Sequence, residues 1–199
     1  MDIEIRAPRD EEAEDVFALC SEAFTSPPEQ EEPWRESKRM EDFLCAWSGE
    51  ELVGTTEVMP GGQYFGGRSV PMGGVASVAV RPDQRGRGIA PRLLARSVEA
   101  MHEHGLVIST LHPATTRFYR GLGWEIGGEF GVRRVPTASL AALPTGEPDC
   151  VRPAQSGDSD NLRECYGRVA PTINGALDRS DARWHAMELT LDHPHRYRY

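Results

Sequence analysis

Lysine is almost missing from this chain. Lys38 is the only one among 22 basic residues, arginine carries the rest, and 31 acidic residues bring the formal net charge to −9. That balance speaks against generic binding to a nucleic-acid backbone, which needs a basic face. It also removes the P-loop, whose phosphate cradle ends in Gly-Lys-Ser/Thr. Cysteine is scarce and scattered: Cys20, Cys45, Cys150 and Cys165 form no C-x-x-C pair and have no histidine at ligand spacing. Free, mostly buried thiols and no metal site are expected, the i, i+2 pairs His102/His104 and His193/His195 being poor chelators. No apolar run is long enough for a membrane helix, and Met1 to Arg6 lacks the basic start and apolar stretch of a secretory signal. The expectation is a cytoplasmic protein with neither membrane nor nucleic acid as partner.

What is present is an ordinary globular composition over 199 residues, 39% hydrophobic and 27% charged, enough for about one domain and a fraction at roughly 100–200 residues each. The charge is uneven. Acid clusters in Asp10–Asp15 and Glu29–Glu32, whereas Arg81, Arg85, Arg87, Arg92 and Arg96 gather in one stretch. Such a split hints at one anionic and one cationic ligand, against the plainer reading of solvated charged faces.

Ile3 to Arg6 alternates like a short strand, and Asp10 to Phe24 has helical apolar spacing with acid in its first turn and Pro27-Pro28 beyond its end. Phe43–Trp47 and Leu52–Met59 read as a hairpin, followed by a turn at Pro60-Gly61-Gly62 and a second small hairpin over Gln63–Val70. Gly73–Val80 is nearly continuous in small and apolar residues, the pattern of a strand buried on both faces. A helix from Gly88 to His104, a strand over Leu106–Leu111, a short helix over Pro113–Arg120 and two strands within Trp124–Val135 complete a mixed α/β domain over residues 1–135. Residues 136–149 read as a linker. In 150–199 something restarts, with a strand over Cys150–Ala154 and helices over Ser159–Val169 and Ser180–Leu191 around Trp184. Roughly fifty residues cannot supply a second sheet domain, so the tail is either an appendage or, as expected here, the start of one.

The informative run is Val78-Ala79-Val80-Arg81-Pro82-Asp83-Gln84-Arg85-Gly86-Arg87-Gly88-Ile89-Ala90. A buried strand gives way to a glycine-rich arginine turn that opens a helix, and together these make an anion cradle. Backbone N–H groups at a helix start lack partners, glycine lets a ligand come close, and the helix dipole favours a pyrophosphate. Arg85 and Arg87 can add charge-assisted bonds. A plain tight turn is the bland alternative. The dinucleotide fingerprint G-x-G-x-x-G fails, because its third glycine would fall on Pro91.

The same run resembles the acetyl-CoA signature of the GNAT acetyltransferase superfamily, Arg/Gln-x-x-Gly-x-Gly/Ala, met by Arg85, Gly88 and Ala90. More narrowly, Val-Ala-Val-x-Pro before the turn and Leu111-His112-Pro113-Ala114 leading to Phe118-Tyr119 and Gly123-Trp124 resemble the N-terminal half of the Eis (enhanced intracellular survival) family. The resemblance implies a GNAT fold followed by the start of a second GNAT-like domain, acetyl-CoA as co-substrate, and an amine acceptor, with polycationic small molecules such as aminoglycosides among the candidates. By position it implies that Val78, Ala79 and Val80 lie along the pantetheine arm. Arg85, Gly86, Arg87, Gly88, Ile89, Ala90 and Pro91 would hold the pyrophosphate, and Ala114 and Thr115 make the remaining cofactor contacts. Tyr119 matches the proton donor to the CoA thiolate. The family forms hexamers, so a homo-oligomer is a further implied partner. Its general base, the carboxylate of a C-terminus that follows two GNAT-like domains, has no counterpart here. Either the chain is a fragment lacking part of its site, or it is a single-domain enzyme using water or an early acid such as Glu57, with His112 as a candidate base or substrate contact. Two other readings stand beside this one: a non-catalytic acyl-CoA-binding or regulatory module, and a GNAT enzyme acting on protein amino groups.

Overall fold

The structure, a computed structural model, describes residues 3–128, 132, 134–141 and 152–188. Strand β1 (Glu4–Arg6) leads through a 3-10 turn at Asp10–Glu12 into α1 (Ala13–Phe24), then α2 (Glu31–Glu36). Three long strands follow, β2 (Phe43–Ser48), β3 (Glu51–Phe65) and β4 (Arg68–Val80), then α3 (Ile89–Glu103), β5 (Ile108–Leu111) and α4 (Thr116–Arg120). The last described stretch holds α5 (Ser159–Val169), β6 (Leu177–Asp178) and α6 (Asp181–Glu188).

The strands form one mixed sheet in the order β1-β2-β3-β4-β5, antiparallel up to β4 and parallel between β4 and β5. Helices cover both faces. In β2, Phe43, Cys45 and Trp47 pack with Val16 and Cys20 of α1, while Ala46 joins Val53 under Ile89 and Leu93 of α3, the alternation expected of a strand buried on both sides. The close approach of α3 depends on two glycines. A Cβ on Gly54 would lie 3.0 Å from Ile89, and one on Gly73 would collide with Met101. Cys20 and Cys45 are buried free thiols, each pushed up to about 12 chiefly by burial, and Cys165 is free and exposed; Cys150 lies outside the described residues.

The fold corrects three expectations. There is no turn at Pro60-Gly61-Gly62, and the hairpin expected over Gln63–Val70 is present as the tip of a longer one. Strand β3 runs straight through, with Pro60 opposite Gly73, and the chain reverses at Gly66-Gly67, both with positive φ, the geometry of a two-residue hairpin turn. Proline is tolerated because β2 stops pairing at Glu57, leaving the missing N–H on an edge. The described residues of Trp124–Val135 form no strand: Trp124 turns back instead, its N–H donating to the Tyr119 carbonyl at 3.1 Å. Finally, Arg152–Ala154 is not a strand, Arg152 being drawn into a bidentate pair with Asp158 at 2.6 Å; Cys150, Val151, Leu189, Thr190 and Leu191 lie outside the described residues, as do 142–149 of the linker, whose Thr137–Leu140 forms a 3-10 turn.

The expected helix over Ser159–Val169 is present. Its continuation departs from the sequence pattern, because strand β6 pairs with the far end of β3, Gly62 opposite Asp178 and Gln63 opposite Leu177. The tail is thereby joined to the first sheet. A Cβ at Gly62 would come within 2.9 Å of Asp178 Cβ, so the docking relies on glycine at that position.

At the other end of the molecule Glu12 is buried and clamped. Arg6 donates to both its oxygens at 2.7 and 2.8 Å, and the Arg9 backbone N–H and guanidinium add further bonds at 2.7 Å. The Arg6 guanidinium holds the Glu12 carboxyl well below the ordinary carboxylate range. A depressed carboxylate contributes stability above its unfolded pKa and loses it as pH falls through the folded value. Glu12→Gln is therefore expected to cost about 1–2 kcal/mol at pH 7, the exposed Arg9 screening part of the effect. In urea unfolding the gap from wild type should begin to narrow as pH falls below about 4 and close only as the folded carboxyl takes its proton; a gap that does not narrow below about pH 4 would assign the loss to packing.

Candidate active site

The site grows from a mismatch between strands. β4 pairs with β5 only from Met72 opposite Ile108 to Val75 opposite Leu111, yet β4 continues to Val80. Over Ala76–Val80 its β5 side is an open edge, whose backbone groups have no strand partner among the described residues. The opening coincides with a bulge. Thr55 pairs with Ala79 and Glu57 with Ala76, so β4 carries an extra residue there, and Ser77 takes a φ of 52°. The extra residue shifts the alternation, putting Val75 and Val78 in the same cluster beneath Leu94 and Met101 of α3.

Ser77 itself turns to the opposite face, its hydroxyl donating to Glu57 at 2.8 Å. Glu57 is 3% exposed and takes Lys38 Nζ at 2.7 Å on both oxygens. The chain's single lysine thus neutralises a carboxylate at the root of the wedge. Both residues line a cavity of about 420 Å³, floored by β3, β4 and the end of β5 and walled by the β6–α6 tail. His112 lines the same cavity.

Beyond Val80 the chain makes the glycine-rich turn. Gly86 and Gly88 have φ of 77° and 75°, and a Cβ on either would meet nothing within 4 Å. The requirement there is left-handed backbone, with open space in front of it. Gly88 is the N-cap of α3 and no side chain caps the helix, so the N–H groups of Ile89 and Ala90 are unfilled by side chains, while Pro91 brings none. Arg85 folds back, Nε donating to the Val80 carbonyl at 3.2 Å. Of the arginines gathered here, Arg81 is spent on Asp83 and Glu51, Arg96 on Glu103 and Glu99, and Arg92 binds the Ile3 carbonyl. Arg85 and Arg87 lie exposed on the turn.

Ala114 and Thr115 are exposed just before α4, where Thr115 is an N-cap without a side-chain bond. Tyr119 is half-buried in the cluster that holds Val75, Val78 and Leu111. Its ring meets Phe118 edge-on at 5.0 Å and Trp124 at 6.3 Å, and Trp124 is pinned through Ser109 Oγ at 3.1 Å. Burial raises the Tyr119 phenol above the ordinary tyrosine value. Tyr119 does not line the cavity, but Val75 and Leu111 both line it and pack in the Tyr119 cluster. The wedge between β4 and β5 therefore separates the tyrosine on one face from the cavity on the other. Sequence reasoning missed Lys38 and the tail arginines Arg179 and Arg183, which also line the cavity. Only the singularity of the lysine, and the basic residues beside Trp184, could have pointed to them.

Residues 4–127 match the acetyltransferase (GNAT) domain family, and the chain belongs to the GNAT N-acetyltransferases. A curated relative in Streptomyces avermitilis, an uncharacterized N-acetyltransferase, is 28% identical over 96% of this chain and 49% of its own length. The crystal structure of a GCN5-related N-acetyltransferase from Anabaena variabilis is similar at a TM-score of 0.81 and 27% identity, covering 96% of this chain and 49% of that one. Eis1 from Mycobacterium abscessus shares the fold at a TM-score of 0.68 and 22% identity over 94% of this chain and 47% of its own. This chain spans about half the length of the curated relative it matches, and the likeness to Eis1 covers the half expected from the sequence. Use of acetyl-CoA is implied by the family. Among the described residues no helix is long and apolar enough to cross a membrane, and no cluster of three His, Cys, Asp or Glu could hold a metal ion.

Proposed function

We propose that the protein transfers an acetyl group from acetyl-CoA to the primary amine of a small molecule. The observation that carries the reading is the uncapped, glycine-turned start of α3 directly after a strand whose neighbouring edge is open. The group fits what is there. Gly86 to Ala90 offer backbone N–H groups in open space to a pyrophosphate, Arg85 and Arg87 add positive charge, and Pro91 shapes the first turn. The Val78–Val80 edge offers backbone hydrogen bonds to an amide-bearing arm, and Ala114 and Thr115, exposed before α4, supply the remaining contacts. When bound, acetyl-CoA supplies an activated thioester. The open edge of β4 then holds the acetyl carbonyl by N–H donation, stabilising the negative charge that develops on its oxygen, and Tyr119 gives its phenolic proton to the departing sulfur. Glu57 is a poor base as it stands, since Lys38 and Ser77 occupy its oxygens; the amine proton leaves through water in the cavity or His112 at its edge. Residues 150–199 are proposed to open a second GNAT-like unit after the linker 136–149, supported by the half-length match to longer relatives.

The test is thiol release from acetyl-CoA with polyamines, aminoglycosides, amino acids and peptides as acceptors, run beside calorimetric CoA binding. Amine-dependent, saturable release is expected. Gly88→Ala should weaken CoA binding several-fold while costing about 1 kcal/mol of stability, because alanine disfavours the left-handed backbone. CoA binding without release to any amine would replace the enzyme with an acyl-CoA-binding module, and release to peptides alone would move the acceptor to protein amino groups.

A further inference from the structure

We infer that the acceptor amine carries a carboxylate, received by Arg179 and Arg183 on the tail wall of the cavity. This deepens the acetyltransferase reading and rests on it. The cavity is lined by four cationic side chains and three carboxylates in a chain whose net charge is −9. Its charges sort into pairs. Glu57 is taken by Lys38. Asp42 faces Arg39, which also meets Glu41, and burial raises its pKa, disfavouring its charged form. Asp178 lies against Tyr64, whose phenol is raised by burial and by that carboxylate.

Arg179 and Arg183 are left over. Neither has an acidic partner within ion-pair distance among the described residues, in contrast to neighbouring Arg163, which binds Glu188 and Asp181. Arg179 is held by stacking instead, its guanidinium carbon 3.8 Å from the Tyr166 ring centre and 4.9 Å from that of Trp184. Tyr166 is fixed in turn by its bond to the Leu177 carbonyl at 2.8 Å. Stacking fixes the plane of a guanidinium and leaves its edge N–H groups free to bind. Arg183 lies in the first turn of α6, its Nη1 3.3 Å from Met59 Sδ on the cavity floor. Two planar forks on one wall suit a carboxylate, which accepts paired N–H bonds. A polycation would meet their repulsion and find each carboxylate of the cavity already engaged. Apart from Ser37, Thr110, His112 and Ser180, the rest of the lining is apolar or glycine, Met59, Met72, Val75, Leu111 and Leu177 among it, fitting a hydrophobic body between amine and carboxylate.

The experiment compares thiol release from acetyl-CoA with phenylalanine and methionine, their amides and their decarboxylated amines. Alongside it, binding of N-acetylphenylalanine and its amide is measured by calorimetry. A kcat/KM at least about 10-fold higher for the carboxylates is expected, with Arg183→Met removing most of that preference by raising KM for phenylalanine and methionine while their kcat holds. Arg168→Gln, an exposed charge paired with Glu164 on α5, serves as the control and should change neither. Equal rates across each series, or a preference for polyamines, overturns the inference while the acetyltransferase stands. If no amine supports release, the acetyltransferase reading fails, and the binding arm decides alone: N-acetylphenylalanine binding no better than its amide, or insensitive to Arg183→Met, sinks the carboxylate site too.

Discussion

Lys38→Met is expected to lower unfolding stability by about 3 kcal/mol, the scale of breaking a buried ion pair from one side. The size follows from the asymmetry of the pair. Lys38 is 20% exposed at its side chain and Glu57 only 3%, so removing the ammonium leaves a buried carboxylate with the Ser77 hydroxyl as its one remaining donor among the described residues. The exposed edge of Lys38 places the loss at the lower end of the usual range. Adding Glu57→Gln should recover most of it, because the amide keeps an acceptor for Ser77 and carries no charge to desolvate. Urea unfolding of the single and double variants checks this. A single variant within about 0.5 kcal/mol of wild type, the scatter of surface substitutions, would mean that water already screens the pair. The consequence reaches the wedge. Glu57 holds Ser77 in its left-handed conformation at the bulge, so Lys38→Met is also expected to loosen the β4 edge and raise KM for acetyl-CoA.

The parts of this molecule legible in the sequence are those written in local pattern. The helix α3 announces itself through Ile89, Leu93, Leu94 and Met101, and its start through Gly86 and Gly88, because period and backbone conformation are properties of adjacent residues. The pairing of β2 with β3 is readable for the same reason. The continuation of β3 through Pro60-Gly61-Gly62 is not: a local breaker signal is overruled by register with β4 and, at Pro60, by the gap between β2 and β6 on the other side. The cavity is least legible. Lys38 meets Glu57 across nineteen positions, and Arg179 and Arg183 reach it only because two residues of β6 pair with β3. Such contacts depend on topology, which no window of sequence contains.

Tyr119→Phe is expected to lower kcat by about 100-fold or more, the usual worth of a positioned proton donor, with KM for acetyl-CoA unchanged. The substitution is a clean one here. The ring is what packs against Phe118, Trp124 and the Val75 cluster, and the hydroxyl makes no hydrogen bond among the described residues, so phenylalanine keeps the packing and thermal unfolding should not move. The pH profile carries the sharper signature. Burial raises the phenol, so the donor form persists beyond the ordinary tyrosine range and the alkaline fall in kcat should lie above about pH 10. In Tyr119→Phe that limb should vanish along with the rate. A variant that keeps its kcat, or loses it while retaining the same alkaline limb, would take the proton from elsewhere in the wedge. His112, at the cavity edge, is the side chain that could then supply it, and the rate of His112→Gln measured beside that of Tyr119→Phe separates the two donors.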